Sequence, residues 1–511
     1  MEAPQQYKSS RIWKKAINVS FTEFLLFYTL GVFNPSQLNV AATLKWGSNT
    51  ETFINLFSTL LTVGQFIGCI MTGILIDQYG RRKTMILMDS LFLTGSIILV
   101  MPSTICFGIG RFITGIAIGI CPILGPVYLN ESTPQEIMPK VAPLIYAFGG
   151  IGMIISYALG LILPVDNMDT DPKSYLWILM FLFPALIATY QLIYFSFFVK
   201  FDTALFYLSK SNSVDAEKAL DETHHEVSFS IGLRRVKSEI EGKSHNGINL
   251  SFFGMLKIKK FRKMMRFGIM FAAIQELSSV TGIFFYSTDI FYRLGGGLFL
   301  ARIFTMIIGV VYCFSTLSGV WLLKIFSRKV VFIASQFFIF VILLLIAFFT
   351  GYIEDNQVAA ASMLIIFFIP FGCGIISSGW MYATEVLNDQ IFSYASTLCF
   401  GFSTIVSFLF PTSIEFIGIS TTFLIFSISM GICSIYSVFD FIETKDKDKE
   451  TILIEMGVID RRVIPIADEN GNLQSPHDYE NENSFIRVEK VVFLNGKEFN
   501  DDSINIKGDE G

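Results

Sequence analysis

The sequence predicts an all-α integral membrane protein with twelve transmembrane helices, arranged as two six-helix halves and with both termini in the cytoplasm. Hydrophobic residues make up 52% of the 511 residues and charged residues only 16%, and the mean hydropathy is +0.56. Apolar stretches of about 20 residues, which is enough to cross the hydrocarbon core of a bilayer, recur along most of the chain. Lysine and arginine are concentrated in alternate short connections, which indicates the cytoplasmic side.

The apolar stretches fall into two groups of six, which define the predicted halves at residues 16–198 and 265–440. The first group covers residues 16–34, 53–76, 84–102, 106–128, 141–163 and 175–198. The second group covers residues 265–286, 299–323, 330–351, 358–384, 393–414 and 417–440. The first stretch is long and lacks a small-residue cleavage site after it, so we interpret it as a retained helix.

Three polar segments complete the predicted organisation. Residues 1–15 form a cytoplasmic N-terminus, and residues 199–264 form a cytoplasmic linker with short amphipathic helices near 215–221 and 234–241. Residues 441–511 form an acidic cytoplasmic tail that we expect to be partly disordered and to offer a surface for a cytoplasmic partner. The basic residues that set this orientation are Lys8, Arg11, Lys14, Lys15, Arg81, Arg82, Lys83, Lys140, Lys324, Arg328 and Lys329.

The composition argues against an enzyme and against nucleic acid as a partner. The net charge is only −5, and the acidic excess lies mainly in the tail. The seven cysteines fall in or beside apolar stretches without metal-ligand spacing, so neither a metal site nor a disulfide framework is expected. All four histidines fall in polar segments and no phosphate-binding P-loop occurs, so we expect no catalytic centre and no cofactor.

The two predicted halves share a pattern that indicates an internal duplication. The fourth apolar stretch ends in Tyr-Leu-Asn-Glu at residues 128–131, and the tenth ends in Tyr-Ala-Thr-Glu at residues 382–385. In each half this ending follows a basic hairpin, at residues 80–83 or 327–329. Two related six-helix units can enclose a cavity at the midplane of the membrane and open it alternately to either side. The pattern therefore favours a transporter.

Four segments resemble those of one known family. They are Gly-Arg-Phe-Ile-Thr-Gly at 110–115 with Pro-Val-Tyr-Leu-Asn-Glu-Ser-Thr-Pro at 126–134, Gln-Glu-Leu-Ser-Ser-Val-Thr at 275–281 with Phe-Tyr-Ser at 285–287, Gly-Trp-Met-Tyr-Ala-Thr-Glu at 379–385, and Phe-Ile-Glu-Thr-Lys at 441–445. With them, residues 16–452 resemble the sugar porter family of the major facilitator superfamily. The resemblance implies the major facilitator fold and alternating-access transport of a hexose or related sugar through the lipid bilayer, and we expect the plasma membrane as its location.

The resemblance also implies a cytoplasmic charge network that stabilises one state of the transport cycle and breaks in the other. Its members would be Asp77, Arg81, Arg82, Glu131, Lys140, Arg328 and Glu385, with Arg111 as a structural hydrogen-bond hub to helix ends. The family pattern is incomplete, because Met138 and Phe392 stand where arginines are expected and Lys324 stands where an acid is expected. Lys140 can substitute in the first half only, so we expect the two halves to be held unequally.

The substrate-binding residues that the resemblance implies lie on the last six stretches. They are Gln275, Glu276, Thr281, Tyr286, Tyr312, Trp380 and Thr404. A sugar site needs amide and hydroxyl groups together with an aromatic face, and Gln275 and Trp380 supply an amide and such a face. Glu276 replaces a second amide, while Thr281 and Tyr312 replace asparagines. The pattern therefore predicts a sugar without establishing glucose.

The mode of transport is argued from the first apolar stretch. Thr29 stands where proton-driven sugar porters have an aspartate, and a threonine cannot carry a proton at physiological pH. This favours facilitated diffusion. One alternative is proton symport of a sugar or polyol through Glu276 or Glu23, although we expect Glu23 to lie near the cytoplasmic end and reach water. Another alternative is a membrane sensor that binds sugar without moving it and signals through the tail.

Overall fold

The computed structural model describes residues 9–134, 136–222, 259–352, 357–387, 389–447 and 449–456, together with residues 254 and 257. The secondary structure of these residues is helical almost throughout. The predicted all-α class is therefore confirmed. Residues 9–222 are called the N-terminal part below, and residues 259–456 the C-terminal part.

The described residues of the N-terminal part form nine α-helices. They are α1 (Ser9–Thr43), α2 (Thr50–Tyr79), α3 (Arg81–Leu99), α4 (Thr104–Ser132), α5 (Met138–Val141), α6 (Pro143–Leu159), α7 (Leu176–Ile193), α8 (Ala204–Ser209) and α9 (Ser213–Asp221). Short 3-10 turns at Gly47–Asn49, Gly160–Ile162 and Pro172–Tyr175 and a π-helical turn at Tyr194–Phe198 connect or extend them.

The described residues of the C-terminal part form eight more helices. They are α10 (Lys259–Leu277), α11 (Val280–Phe291), α12 (Gly297–Ile325), α13 (Arg328–Tyr352), α14 (Gln357–Pro370), α15 (Trp380–Val386), α16 (Asp389–Asp440) and α17 (Lys449–Glu455). π-Helical segments at Tyr292–Gly296 and Phe371–Gly379 extend α11 and join α14 to α15. Gly418 breaks α16, because its backbone has a φ of 82°.

Ten helical segments of the described residues are long and apolar enough to cross a membrane. Two further candidates are α3 and the second section of α16, beyond Gly418. These twelve segments follow the order of the twelve predicted apolar stretches. The first segment is longer than predicted at both ends. At its C-terminal end, α1 continues through buried polar residues such as Gln37 and Asn39, which contact other helices. The number of crossings and the cytoplasmic termini stay predictions.

The polar segments agree with the sequence where they can be compared. The amphipathic helix predicted near 215–221 is confirmed as α9. The helix predicted at 234–241, the four histidines and the tail beyond residue 456 lie outside the described residues. All seven cysteines are free.

Helices α2 and α4 approach closely because glycines lie at their contact. A Cβ atom added to Gly68 would lie 2.1 Å from the carbonyl oxygen of Ile116, and one added to Gly119 would lie 2.2 Å from that of Gln65. Small residues at such contacts allow backbones to pack directly in a membrane. This packing fixes α4, the helix of Arg111 and Glu131, against α2.

Both basic hairpins lie at one end of the helical bundle, which is called the basic end. Gly150 of α6 packs on Cys313 of α12, and Arg302 near the start of α12 bonds to Leu163 just beyond the end of α6. The two helices therefore run side by side in opposite directions, and the start of α6 lies with the end of α12. The other end of the bundle, which carries Arg302 and Leu163, is called the opposite end.

Candidate functional site

The seventh span is interrupted next to the residues of the predicted substrate site. Helix α10 ends just after Gln275 and Glu276, and α11 begins one residue after Ser279, which has a left-handed backbone with a φ of 71°. Ser278 turns its hydroxyl back to the carbonyl oxygen of Gln275 at 2.5 Å. Irregular backbone at membrane depth is tolerated where it is buried in protein or lines a cavity. The break thus concentrates polar groups inside the bundle.

Glu276 is the centre of a polar contact between α10, α11 and α16. Its side chain is 3% exposed, and its Oε2 accepts a hydrogen bond from the Thr281 hydroxyl at 2.6 Å. The Thr281 hydroxyl also lies 3.0 Å from that of Ser403, and the Cys399 sulfur lies 4.0 Å from Glu276 Oε1. The described part of the chain offers Glu276 no cationic partner. The carboxyl group therefore lies among neutral hydrogen-bonding groups.

The other predicted substrate residues do not all join this contact. Gln275 is buried, and its Oε1 has no hydrogen-bond partner among the described residues, so the bundle contains an unpaired acceptor here. Thr404 bonds to the Phe400 carbonyl oxygen of its own helix at 3.0 Å. Ser403, which sequence reasoning passed over, lies against Thr281 instead.

The three predicted aromatic residues lie in different aromatic groups. Trp380 packs edge-on against Phe271 and Phe392, with ring centroids 5.5 and 5.8 Å apart. Tyr312 packs with Phe27, Phe284 and Phe368, and Tyr286 stacks on Phe410 at 6.2 Å. The structure therefore does not bring Trp380, Tyr312 and Tyr286 onto one shared surface.

A cavity of about 440 Å³ lies between the two parts near the opposite end. Tyr286 is the predicted substrate residue that lines it. Asn34, Gln37, Glu51 and Asn55 line it from the N-terminal part, with Thr288, Asp289, Arg293 and Glu415 from the C-terminal part. Along α11, Tyr286 therefore lies between Thr281, which contacts Glu276, and Thr288, which also lines this cavity.

The predicted charge network is partly assembled in the N-terminal part. Arg81 pairs with Glu131 at 2.6 Å, and both side chains are largely buried. Arg82 donates to the carbonyl oxygens of Phe195 and Ser196, at 2.9 Å each.

Two predicted members of the network lie apart from it. Asp77 and Lys140 are exposed and form no ion pair with any residue that the structure describes.

The C-terminal part contains a matching pair. Arg328 Nη2 lies 2.8 Å from Glu385 Oε1. Each part therefore has an arginine–glutamate pair at the basic end. The inequality expected from Met138 and Phe392 stays a prediction. Both pairs lie within one part and do not join the two parts.

Two acidic residues that sequence reasoning missed cap the helices after the basic hairpins. Asp202 accepts the backbone N–H groups of Arg81 at 3.2 Å and Arg82 at 2.9 Å, where α3 begins. Glu443 likewise accepts the N–H groups of Arg328 and Lys329, both at 3.1 Å, where α13 begins. A carboxylate at a helix N-terminus satisfies N–H groups that have no partner in the helix. The repeat of this contact was not visible from spacing because each cap is distant in sequence.

The two caps differ in electrostatics. Burial raises the pKa of the Asp202 carboxyl, although the N–H groups of Thr203 and Arg82 and the Arg81 guanidinium act in the other direction. Desolvation also acts on Glu443, which is more exposed, but N–H donors that include that of Lys445 hold the pKa of its carboxyl below the usual value. The Asp202 contact is the drier of the two.

Asp202→Ala is expected to destabilise the basic end by about 1 to 2 kcal/mol, because the first N–H groups of α3 lose their acceptor. Asp202→Asn keeps one acceptor oxygen and should cost less. The measurement is the Tm of the purified protein. Asp77→Ala is the control, since Asp77 is exposed without an ion-pair partner among the described residues, and an equal drop in Tm for both alanine variants would contradict the capping role.

Arg111 is fully buried within α4. It forms fewer hydrogen bonds to helix ends than the predicted hub would. Its Nε donates to the Phe57 carbonyl oxygen at 3.3 Å, and its guanidinium lies 4.8 Å from the centre of the Phe33 ring. Its two terminal nitrogens have no hydrogen-bond partner among the described residues. The ring of Phe33 therefore replaces part of the expected helix-end contacts.

Hydrogen bonds between the two parts are concentrated at the opposite end. Asn34 Nδ2 donates to the Phe284 carbonyl oxygen and to the Ser287 hydroxyl at 2.8 and 2.7 Å, and Gln37 donates to the Phe285 carbonyl oxygen at 2.8 Å. Sequence reasoning missed these residues. Polar residues at helical spacing beyond residue 34 were the available signal, because polar groups at membrane depth need partners.

Arg302 forms the most buried of these contacts. Its side chain is 0% exposed, and it donates to Asn39 Oδ1 at 2.5 Å and to the Leu163 carbonyl oxygen at 2.7 Å. These acceptors belong to the N-terminal part, while Arg302 belongs to the C-terminal part. The arrangement joins the two parts at the opposite end of the bundle.

Two further acids are buried in the N-terminal part. Glu23 is only 6% exposed, so the expectation that it reaches water is wrong for this conformation. Asp89 is 0% exposed, and both of its carboxyl oxygens lack a hydrogen-bond partner among the described residues. Asp89 was not singled out from the sequence, although it lies inside the predicted apolar stretch at residues 84–102.

Comparison with known proteins agrees with this architecture. Residues 15–454 match the family described as "Sugar (and other) transporter". The chain is 26% identical over 450 residues to the major myo-inositol transporter of Bacillus subtilis, covering 85% of this chain and 92% of that protein. It is 25% identical over 476 residues to the facilitated trehalose transporter of Bombyx mori, covering 90% and 89%.

Solved structures show the same fold. One is the proton:xylose symporter XylE from E. coli, a major facilitator superfamily protein that was solved with bound 6-bromo-6-deoxy-D-glucose. It superposes on this chain with a TM-score of 0.73 at 17% identity, and the match covers 87% of this chain and 99% of that chain. A partially occluded inward-open structure of the same transporter gives a TM-score of 0.68 at 15% identity over 83% and 98% of the two chains. With most of its length matched by this family model, the chain belongs to the family described as "Sugar (and other) transporter", and it shares the fold of these solved structures.

Proposed function

We propose that this protein carries a hexose-sized sugar or a polyol across the membrane by alternating access and facilitated diffusion. The observation that carries the proposal is the break in the seventh span. It places the unpaired amide oxygen of Gln275 and the carboxyl group of Glu276 inside the bundle, beside hydroxyl groups of Thr281 and Ser403. Polyhydroxylated solutes both donate and accept hydrogen bonds, so a mixed set of this kind suits them.

The distribution of contacts supports alternating access. At the basic end, the pairs Arg81–Glu131 and Arg328–Glu385 each lie within one part, so the parts can separate there without breaking them. At the opposite end, Arg302 joins the two parts. The conformation described is therefore the one in which the opposite end is closed, and transport requires this contact to break.

Facilitated diffusion is supported by Thr29. Its hydroxyl donates to the Leu25 carbonyl oxygen of α1 at 2.7 Å and is buried, and it carries no proton that could couple to sugar movement. Proton symport is the second candidate, because Glu276 is a buried carboxyl group beside the same polar contact. Carboxyl groups at membrane depth commonly form the proton relays of transporters.

The relatives narrow the class of solute. The names of the matched proteins refer to myo-inositol, trehalose and xylose. These solutes share a ring with several hydroxyl groups, and the replacement of amides by Glu276 and Thr281 is compatible with any of them. A sugar or cyclic polyol is therefore proposed as the solute, and the plasma membrane as the site of transport.

The test is uptake of labelled glucose, xylose, myo-inositol and trehalose by the purified protein in liposomes, with and without a proton gradient. Gln275→Ala is expected to reduce uptake at least tenfold, because a buried hydrogen bond to the solute is lost, while Gln336→Ala, a buried glutamine of α13, is the control. Uptake that ignores the gradient supports facilitated diffusion. Solute binding without flux would favour the sensor, whose output should then be lost on deletion of residues 457–511.

A further inference from the structure

The start of α10 carries an unusual concentration of positive charge. Six basic residues fall between positions 257 and 266, and no acidic residue occurs from 242 to 275. These residues are called the basic patch: Lys257, Lys259, Lys260, Arg262, Lys263 and Arg266. Positive charge at a helix N-terminus is unfavourable, because the helix dipole is positive there. The patch therefore needs an acidic partner.

The described residues satisfy only part of this need. Arg266 pairs with Asp440 at 2.5 Å, and the Lys263 ammonium donates to the carbonyl oxygen of Met456. Lys257 and Arg262 are exposed, and neither forms an ion pair with a residue that the structure describes. Lys257 and Arg262 are thus open to a ligand at this helix start.

The contact with Met456 also shows where the rest of the chain begins. Met456 follows α17 and is the last described residue, so residues 457–511 start beside the basic patch. Those 55 residues contain twelve acidic and six basic side chains. Their net charge is therefore more negative than the −5 of the whole chain. A tethered segment has a high effective concentration at a surface beside its point of attachment.

We propose that residues 457–511, the last section of the acidic tail, dock on the basic patch of their own chain. Charge complementarity and the position of Met456 favour the tail over a separate protein. The anionic headgroups of the bilayer are the competing occupant, because basic clusters next to a membrane-spanning helix attract acidic lipids. Docking would place the tail at the start of the seventh span, the span that carries Gln275 and Glu276.

The experiment uses the full-length protein in nanodiscs of uncharged phosphatidylcholine, with the photoreactive residue p-benzoylphenylalanine at position 257. Mass spectrometry should find cross-links from this position to residues 457–511. The yield should fall at least fivefold when Lys259, Lys260 and Arg262 are changed to Glu, and it should also fall in 1 M NaCl, which screens exposed charges. A probe at Lys83, elsewhere on the basic end, should give no such cross-links.

A matched variant separates docking from general attraction. Arg11→Glu, Lys14→Glu and Lys83→Glu together change the same charge elsewhere on the basic end and should leave the yield unchanged. Absent tail cross-links, or an equal loss in both triple variants, would overturn the proposal. In nanodiscs with about 30% phosphatidylserine, a concentration at which basic clusters bind acidic lipid, the tail cross-links should persist. Their replacement by lipid cross-links would assign the patch to the bilayer and also overturn the proposal.

Discussion

Glu276→Ala is expected to reduce solute flux roughly 10- to 100-fold, whereas Glu276→Gln should keep flux within about threefold of the parent. Alanine removes the acceptor of the Thr281 hydroxyl and leaves a polar gap between α11 and α16. Glutamine keeps an oxygen in the same place and cannot ionise. The comparison therefore separates the hydrogen bond from the charge.

The measurement is exchange of labelled for unlabelled solute in liposomes, alongside uptake driven by a proton gradient. Facilitated diffusion predicts that Glu276→Gln lowers neither process by more than a small factor. If Glu276→Gln retains exchange but abolishes accumulation driven by the gradient, the protein is a symporter and Glu276 carries the proton. Glu23→Gln is the matched variant, since Glu23 is also a buried acid of the bundle but lies on α1.

Arg302→Met is expected to open the opposite end of the bundle. The substitution keeps an unbranched side chain, although a shorter one, and removes the guanidinium with its bonds to Asn39 and Leu163, which leaves two buried acceptors unpaired. Leaving a buried acceptor without its donor costs roughly 1–3 kcal/mol. Because about 1.4 kcal/mol changes an equilibrium tenfold, the population of the open state should rise at least tenfold.

Electron–electron distance measurements between spin labels at Ser48 and Glu415 can detect this change. Both residues line the cavity near the opposite end, from different parts of the chain. The native cysteines would be replaced by serine. Arg293→Met is the control, because Arg293 also bridges to Glu51 but is 41% exposed, where ion pairs contribute little. An unchanged distance distribution in Arg302→Met, or the same shift in the control, would refute the closing role.

Much of the fold could be predicted because the bilayer imposes a simple length rule. An apolar run of about 20 residues is a span whatever its neighbours are, so the predicted stretches follow the observed helices. The rule failed where a helix continues on polar residues. α1 runs on to Thr43 because Gln37 and Asn39 find partners in other helices, and hydropathy does not register such contacts.

The candidate site could be predicted only where local sequence decides the geometry. Gln275, Glu276 and Thr281 lie within one short segment, and their burial follows from its motif and its break. Thr404 and Ser403 are adjacent, and the rotation of the helix decides which of them faces Thr281. The sequence pattern pointed to Thr404, whereas Ser403 makes the contact.

Contacts between distant segments were not visible at all. Arg302 was missed because its acceptors lie more than a hundred residues away. Asp202 was missed for the same reason, because the helix that it caps begins at Arg81.

The caps at Asp202 and Glu443 change what should be regarded as the repeating unit of this chain. Each lies beyond the sixth or twelfth apolar stretch, yet each completes a helix that begins much earlier in the same part. A fragment that stops at residue 198 would lack the acceptor for the start of α3, so a separately expressed half should extend past Thr203, and its counterpart past Lys445. The repeating unit that the predicted duplication implies is then better described as six helices closed by a returning acidic residue than as six helices alone.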